Sequence, residues 1–138
     1  MDRISKEARS RNMSRIRSKN TSPECVVRSM LHKAGYRFRL HRKDLPGNPD
    51  IVLPKFRSVI FVHGCFWHQH KDCRYAVLPK TNEYYWAEKL RRNRERDDAC
   101  VAVLEEMGWK VLVIWECELR MPEKAAQKLS DFLIGVMA

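Results

Sequence analysis

The sequence contains no apolar run approaching the roughly twenty residues that a membrane-crossing helix needs, although hydrophobic residues make up 44% of it. A soluble chain is expected. The opening stretch MDRISKEARSRNMSRIRSKN lacks the greasy core and small-residue cleavage site of an export signal, so the chain reads as cytoplasmic. In that reducing setting the five cysteines do not suit a disulfide framework, and metal binding becomes the better question. Internal repeats and low-complexity tracts are absent too, which excludes repeat architectures. With 138 residues there is enough chain for one hydrophobic core and too little for two.

Excess charge is missing from most of the chain. The net charge of +10 is carried by residues 1–43, where thirteen Lys and Arg face three Asp and Glu, while residues 44–138 hold fourteen of each. A positive field concentrated in this way suits a polyanion, because each phosphate neutralised by Lys or Arg releases condensed counterions. A solvated basic tail kept for solubility explains the charge as well. Residues 1–20 alternate basic and small polar side chains with isolated Ile4, Met13 and Ile16. They read as a basic N-terminal arm, and residues 21–138 as a single domain.

Turn chemistry and periodicity divide that domain. Thr21 or Ser22 can cap a helix that Pro23 opens and Gly35 stops, with Val26, Val27, Met30, Leu31 and Ala34 at helical spacing. Tyr36, Phe38 and Leu40 alternate with Arg37 and Arg39, as in a strand with one wet face. The DLPGNPD segment is a turn that delivers Asp50 to a short strand over residues 51–53. Residues 58–62 are apolar on both faces and are expected at the centre of a sheet. Residues 81–107 predict one long or broken helix that stops at Gly108, with Tyr85, Trp86, Leu90, Val101, Leu104 and Met107 as apolar points. A buried strand over residues 110–115 and an amphipathic helix over residues 122–136 follow. This order predicts an α/β fold, a mixed β-sheet flanked by helices.

Between two of the strands lies HGCFWHQHKDC, and Cys117 ends the last strand. Cys65, His70 and Cys73 are close enough in sequence to wrap one ion, and Cys117 would close a sulfur-rich tetrahedron suited to zinc. A structural zinc would hold an irregular loop with little core of its own. Ordinary buried cysteines and surface histidines are the alternative. Four ligands satisfy zinc, which leaves His63 and His68 as spare imidazoles for a general base or a phosphate contact. Cys25 and Cys100 read as small hydrophobes on helices.

Four segments together resemble the very-short-patch repair (Vsr) DNA mismatch endonucleases: LPGNPD at residues 45–50, VIFVHGCFWH at 59–68, NRERD at 93–97 and VIWEC at 113–117. The resemblance covers about residues 6–120. It implies a restriction-endonuclease-like core that nicks duplex DNA 5′ of the thymine in a T·G mispair left by deamination of 5-methylcytosine. The Pro49-Asp50 pair is similar to the first half of that superfamily's signature, whereas Phe61-Val62-His63 stands where an acid, a spacer and a lysine are usual, a departure the Vsr proteins share. By resemblance Asp50 binds magnesium with the backbone carbonyl of Val62, and His68 acts as general base or phosphate contact, supported by His63, Glu24 and Asp97. Cys65, His70, Cys73 and Cys117 match the family's zinc ligands. Phe66, Trp67 and Trp86 would wedge beside the mispair, Met13 would approach from the minor groove, and Lys89 and Asn93 would read the major groove. Gln69 stands where some relatives carry histidine, and Asp72 looks inserted ahead of Cys73.

The chemistry supports these expectations. A hard carboxylate such as Asp50 suits magnesium, which offsets charge on a phosphate and activates water. Prying apart a base step costs a few kcal/mol, less at a mispair. Phe66, Trp67 and Trp86 as core aromatics are the alternative, although two consecutive large rings cannot both face inward on a regular strand. The expected partner is T·G-mismatched double-stranded DNA bound by a monomer, with mismatch-repair proteins as further partners. A non-catalytic zinc-stabilised DNA-binding module and a related endonuclease without mismatch preference are the competing functions.

Overall fold

The structure, a computed structural model, describes residues 22–137. The basic arm and Met13 therefore lie outside the described residues. The elements run α1 (Ser22–Lys33), β1 (Arg39–Leu40), β2 (Ile51–Leu53), β3 (Ser58–His63), α2 (Glu83–Glu106), β4 (Lys110–Trp115) and α3 (Pro122–Met137). The strands form one mixed sheet in the order β1-β2-β3-β4, antiparallel except for the parallel β3–β4 pair. As the apolar character of both its faces predicts, β3 lies in the sheet interior, and α2 is the long crossover that parallel strands require.

Alternation along the strands separates two cores. Ile51, Leu53, Ile60, Leu112 and Ile114 pack with Val27 and Leu31 of α1 and Leu129 and Leu133 of α3. The opposite face presents Val52, Val59 and Phe61 to Leu45, Trp109 and Leu104 of α2. Helices thus cover both sides of the sheet. The odd-numbered side chains of β3 share the α2 side, so His63 belongs to that face by register. No described helix is long and apolar enough to cross a membrane.

The ends of α1 explain its orientation. At its C-terminus the Gly35 N–H donates to the His32 carbonyl and the Tyr36 N–H to the Leu31 carbonyl, both at 3.0 Å, with Gly35 at φ +84°. Glycine reaches this left-handed position without a Cβ clash. The buried face of the helix consists of Glu24, Val27 and Leu31. A carboxylate therefore occupies the first position of an otherwise apolar stripe.

Several local expectations change. The strand expected over residues 36–40 shrinks to Arg39–Leu40, and both residues are exposed. Tyr36 and Phe38 instead rest on the first core, because His41, at φ +49°, turns the chain away after two pairings. Residues 81–107 form one unbroken helix, but only Leu90 and Leu104 are buried in it; Tyr85 and Met107 are exposed. Strand β4 lies at the sheet edge and is half-buried rather than buried. Cys25 is exposed, not a core residue, and Cys100 is partly buried. Cys100 touches the turn before β2: a Cβ on Gly47 would meet its Cβ at 3.1 Å and its Sγ at 3.2 Å.

Candidate active site and metal centre

Three groups of potential metal-binding side chains assemble among the described residues, all near the end of the sheet where β2 begins and β3 and β4 finish. In each group the ligand atoms lie within 4.8 Å of one another.

Asp50 belongs to the first, with Glu24 and His41. The DLPGNPD turn, with Gly47 at φ +76° and Asn48 at φ +47°, places Asp50 just before β2. Its Oδ2 accepts the Val62 backbone N–H at 2.7 Å, so the carboxylate binds β3 beyond the last β2–β3 backbone pair. Burial pushes the Asp50 carboxyl up to about 7; the Val62 N–H opposes this, Glu24 adds to it and His68 opposes it. Glu24 is 2% exposed. Two carboxylates held this closely out of water repel, and a divalent cation relieves both costs. The donor set, two carboxylates and an imidazole, fits such an ion.

His63, His68 and Asp97 form the second group. His68 Nδ1 lies 2.5 Å from Asp97 Oδ2. The His63 and His68 rings are stacked, with centroids 3.8 Å apart and planes 8° apart. Burial lowers His63 to about 4, the His68 charge pushes it further down, and Asp97 only partly offsets them. At neutral pH His63 is therefore an uncharged platform under His68. His68 also acts electrostatically on Asp50, which links the first two groups.

The third group is Cys65, His70, Cys73 and Cys117. Tight turns gather it: the His68 N–H bonds the Gly64 carbonyl at 3.2 Å and the His70 N–H bonds the Cys65 carbonyl at 2.9 Å. Gln69 and Asp72 take positive φ, 48° and 56°, and the Gln69 amide ties the loop to the Phe66 carbonyl at 2.7 Å. Cys117 reaches in from beyond β4, its Sγ 3.3 Å from His70 Nδ1 and its N–H 3.4 Å from Cys65 Sγ. His70 stacks on Trp115 at 4.2 Å. Burial pushes Cys65 up to about 12, so this thiol needs a bound cation to ionise. Three sulfurs and one imidazole converging on one point fit a tetrahedral zinc.

Beside the histidines lies an aromatic patch. Phe66 and Trp67 are 5.1 Å apart, and Trp86 sits 5.7 Å from Phe66 and 5.9 Å from Trp67. Trp67 is 44% and Tyr85 56% exposed, which argues against burial of the whole cluster in the core. Lys89 Nζ lies 5.6–6.0 Å from the Trp67, Tyr85 and Trp86 rings. Asn93 donates to the Trp67 carbonyl at 3.3 Å.

Each expected site residue within residues 22–137 thus falls in one of these groups or the adjoining patch, save Val62, whose N–H binds Asp50. Sequence reasoning missed two members. His41 is drawn in by its turn, with no spacing to announce it. Arg28 lies one helical turn after Glu24, a spacing that signals an acid–base pair, and its Nη2 is 3.0 Å from Glu24 Oε2.

Comparison with known proteins identifies the family. Residues 1–75 match the family described as DNA mismatch endonuclease Vsr. A type II nicking enzyme, V.XorIIP of Xanthomonas oryzae pv. oryzae, is 58% identical over 86% of this chain and 86% of its own. The DNA mismatch endonuclease Vsr of Escherichia coli K12 is 41% identical over 94% of this chain and 86% of its own. Among solved structures, the catalytic domain of the homing endonuclease I-Bth0305I superposes with a TM-score of 0.61 and 21% identity, covering 86% of this chain and 100% of that one, a likeness of fold. With a mixed α/β fold around a four-stranded sheet, this chain belongs to the Vsr family of DNA mismatch endonucleases and is a DNA endonuclease.

Proposed function

We propose that the protein nicks duplex DNA 5′ of the thymine in a T·G mispair, by magnesium-dependent phosphodiester hydrolysis, and so initiates very short patch repair. The observation that carries this reading is the junction of Asp50 with the stacked histidines, where the Asp50 carboxylate binds the residue next to His63 and lies in the field of His68. Asp50 would hold the ion together with the Val62 carbonyl, and Glu24 lies beside it. When bound, the ion offsets charge on the phosphate and favours ionisation of a water.

His68 is the proton acceptor in this reading. Asp97 engages its Nδ1 and fixes the ring, which leaves Nε2 for the attacking water. His63, held uncharged, shields one face of that ring and avoids competing for the proton. Cys65, His70, Cys73 and Cys117 would bind a structural zinc that anchors the loop carrying Phe66, Trp67 and His68.

Phe66, Trp67 and Trp86 would enter the base stack, with Lys89 and Asn93 at the wobble pair from the major groove and Met13 at the minor groove. Unstacking costs less beside a mispair, so the wedge itself favours mismatched DNA. The names of the relatives, nicking enzymes and a mismatch endonuclease, support the same reaction. One copy of the chain suffices for an asymmetric lesion, and mismatch-repair proteins are natural partners for the nicked product.

The test is single-strand cleavage of T·G and T·A duplexes at equal salt, in several flanking contexts, with and without magnesium. Cleavage of the T·G strand alone, and only with the metal, is expected. Equal cleavage of both duplexes would instead identify an endonuclease without mismatch preference, and binding without cleavage a zinc-stabilised DNA-binding module.

A further inference from the structure

Two guanidiniums converge on one exposed ring. Arg120 Cζ lies 4.4 Å from the centre of the Tyr75 ring and Arg74 Cζ 4.9 Å from it, and Arg74 Nη2 donates to the Tyr75 hydroxyl at 2.7 Å. The residues come from two separate turns, Arg74–Ala76 and Glu116–Arg120, which meet at the third ligand group: Cys73 precedes the first turn and Cys117 lies in the second. Other arginines are neutralised. Arg28, Arg42, Arg91 and Arg92 each lie against a carboxylate, whereas Arg74 and Arg120 have no carboxylate within 4.0 Å among the described residues.

We propose that Arg74 and Arg120, held on Tyr75, form a clamp for the phosphate backbone of the duplex. The inference rests on the reading of the Phe66–Trp67 loop as the face that meets DNA. The Gln69 amide donates to the Phe66 carbonyl at 2.7 Å and to the Ala76 carbonyl at 3.3 Å, so the turn bearing Arg74 and Tyr75 is tied to the loop bearing the wedge. A phosphate reached by one is near the other. Residues 44–138 carry fourteen Lys and Arg against fourteen Asp and Glu, so phosphate contact outside the basic arm has to come from particular side chains and not from bulk charge. Two guanidiniums gathered without an acid repel, and an anion between them relieves that cost. The planar fork of each donor suits phosphate oxygens, and packing over the ring restrains both side chains before DNA arrives. Little ordering remains to be done. Because guanidinium nitrogens only donate, the Tyr75 oxygen accepts from Arg74 and its own proton is free to be donated to a phosphate oxygen.

The test is the salt dependence of binding to T·G and fully paired duplexes, followed by fluorescence anisotropy with the zinc-loaded full-length protein. Losing one phosphate contact flattens the slope of log K against log salt by about 0.9. The double variant Arg74→Gln/Arg120→Gln should therefore lose at least about 3-fold less affinity than wild type between about 50 and 200 mM salt, equally on both duplexes. Arg74→Lys/Arg120→Lys keeps the charges and should keep the wild-type slope. Lys55→Gln/Lys110→Gln removes as much charge at the opposite end of the sheet and should keep it too. A wild-type slope in the glutamine pair, or an equal flattening in the control pair, overturns the inference. A second measurement needs no variant: a bound duplex should protect Arg74 and Arg120 of the wild type from phenylglyoxal, read by peptide mass. If 2-aminopurine beside the mispair unstacks while neither arginine is protected, the inference fails alone. If it does not unstack, the reading of the loop fails and takes the inference with it.

Discussion

His63 and His68 lie face to face, their ring centroids 3.8 Å apart, yet only His68 carries a carboxylate on its ring nitrogen, Asp97 at 2.5 Å. Two imidazoles at van der Waals distance cannot both be readily charged, and burial sets His63 as the neutral one. This asymmetry is why the proposed mechanism takes His68 rather than His63 as the proton acceptor.

Removing the base should therefore separate the two rings. His68→Ala is expected to lower kcat for nicking about 10²- to 10⁴-fold, the usual contribution of a general base, with mismatch affinity little changed. Asp97→Asn should lower kcat by less and leave KM nearly as it was, because the ring loses its orientation and keeps its nitrogens. Single-turnover kinetics on a T·G duplex measures both. Undiminished cleavage by His68→Ala would transfer the role to another group.

Asp50 gives a pH dependence whose sign can be worked out. In the metal-free fold its carboxyl keeps a proton up to about 7, whereas the ordinary value is 3.8. Between those values the unfolded chain binds fewer protons, so this group's contribution to stability is complete below pH 3.8 and is lost as the pH rises through about 7, at up to about 1.4 kcal/mol per unit. His63 acts in the opposite sense: folded at about 4 against 6.5, it costs stability as the pH falls from 6.5 towards 4. Comparing wild type with Asp50→Asn isolates the first effect. In magnesium-free buffer the variant should gain unfolding temperature relative to wild type from pH 5 to pH 8; with magnesium added it should lose nicking altogether and retain DNA binding. Magnesium affinity of the wild type should climb with pH to about 7 and then level off.

Local signals made much of this site readable in the chain. The turn before Asp50 announced itself through proline, glycine and asparagine, and the apolar character of both faces of β3 announced its place inside the sheet. Cys65, His70 and Cys73 are close in sequence, and Cys117 needed only the assumption that β3 and β4 end together, which their parallel register provides. Glu24, by contrast, looks like any acid in the first turn of a helix. Its burial depends on α1 packing its Val27 and Leu31 against the sheet, a tertiary fact. His41 was hidden for a similar reason, since a left-handed residue after a two-residue strand leaves no periodic trace. The exposure of Leu40 and Tyr85 escaped the pattern because apolar spacing does not say which neighbours exist to cover it.

Zinc removal should act on the fold and on activity together. The loop from Gly64 to Cys73 has only Cys65 as a buried hydrophobic residue, so beyond its turns it would depend on the proposed zinc held by Cys65, His70, Cys73 and Cys117. Cys117→Ser is expected to lose bound zinc, measured by elemental analysis, and to lower the unfolding temperature by about 10 °C or more. Nicking should fall in step because His68 sits on that loop. Full stability and zinc content one-to-one in Cys117→Ser would show that Cys117 is not a ligand.

The aromatic patch makes a claim about selectivity rather than rate alone. Trp67 is half-exposed, packs edge-on against Trp86 and lies near Lys89, so its ring is held in place before DNA arrives and little ordering cost remains for binding. Loss of one base-stacking ring is worth about 1–3 kcal/mol, or roughly 5- to 150-fold in affinity at 1.4 kcal/mol per decade. Trp67→Ala should weaken binding of a T·G duplex by that factor and binding of a fully paired duplex by much less, since an unwedged complex relies on phosphate contacts in both cases. Fluorescence of 2-aminopurine placed beside the mispair reports the unstacking directly, and should rise on adding wild type but not Trp67→Ala. If the variant lost affinity for paired and mispaired DNA equally, the ring would be a generic contact, and discrimination would have to come from Lys89 and Asn93 at the base edges.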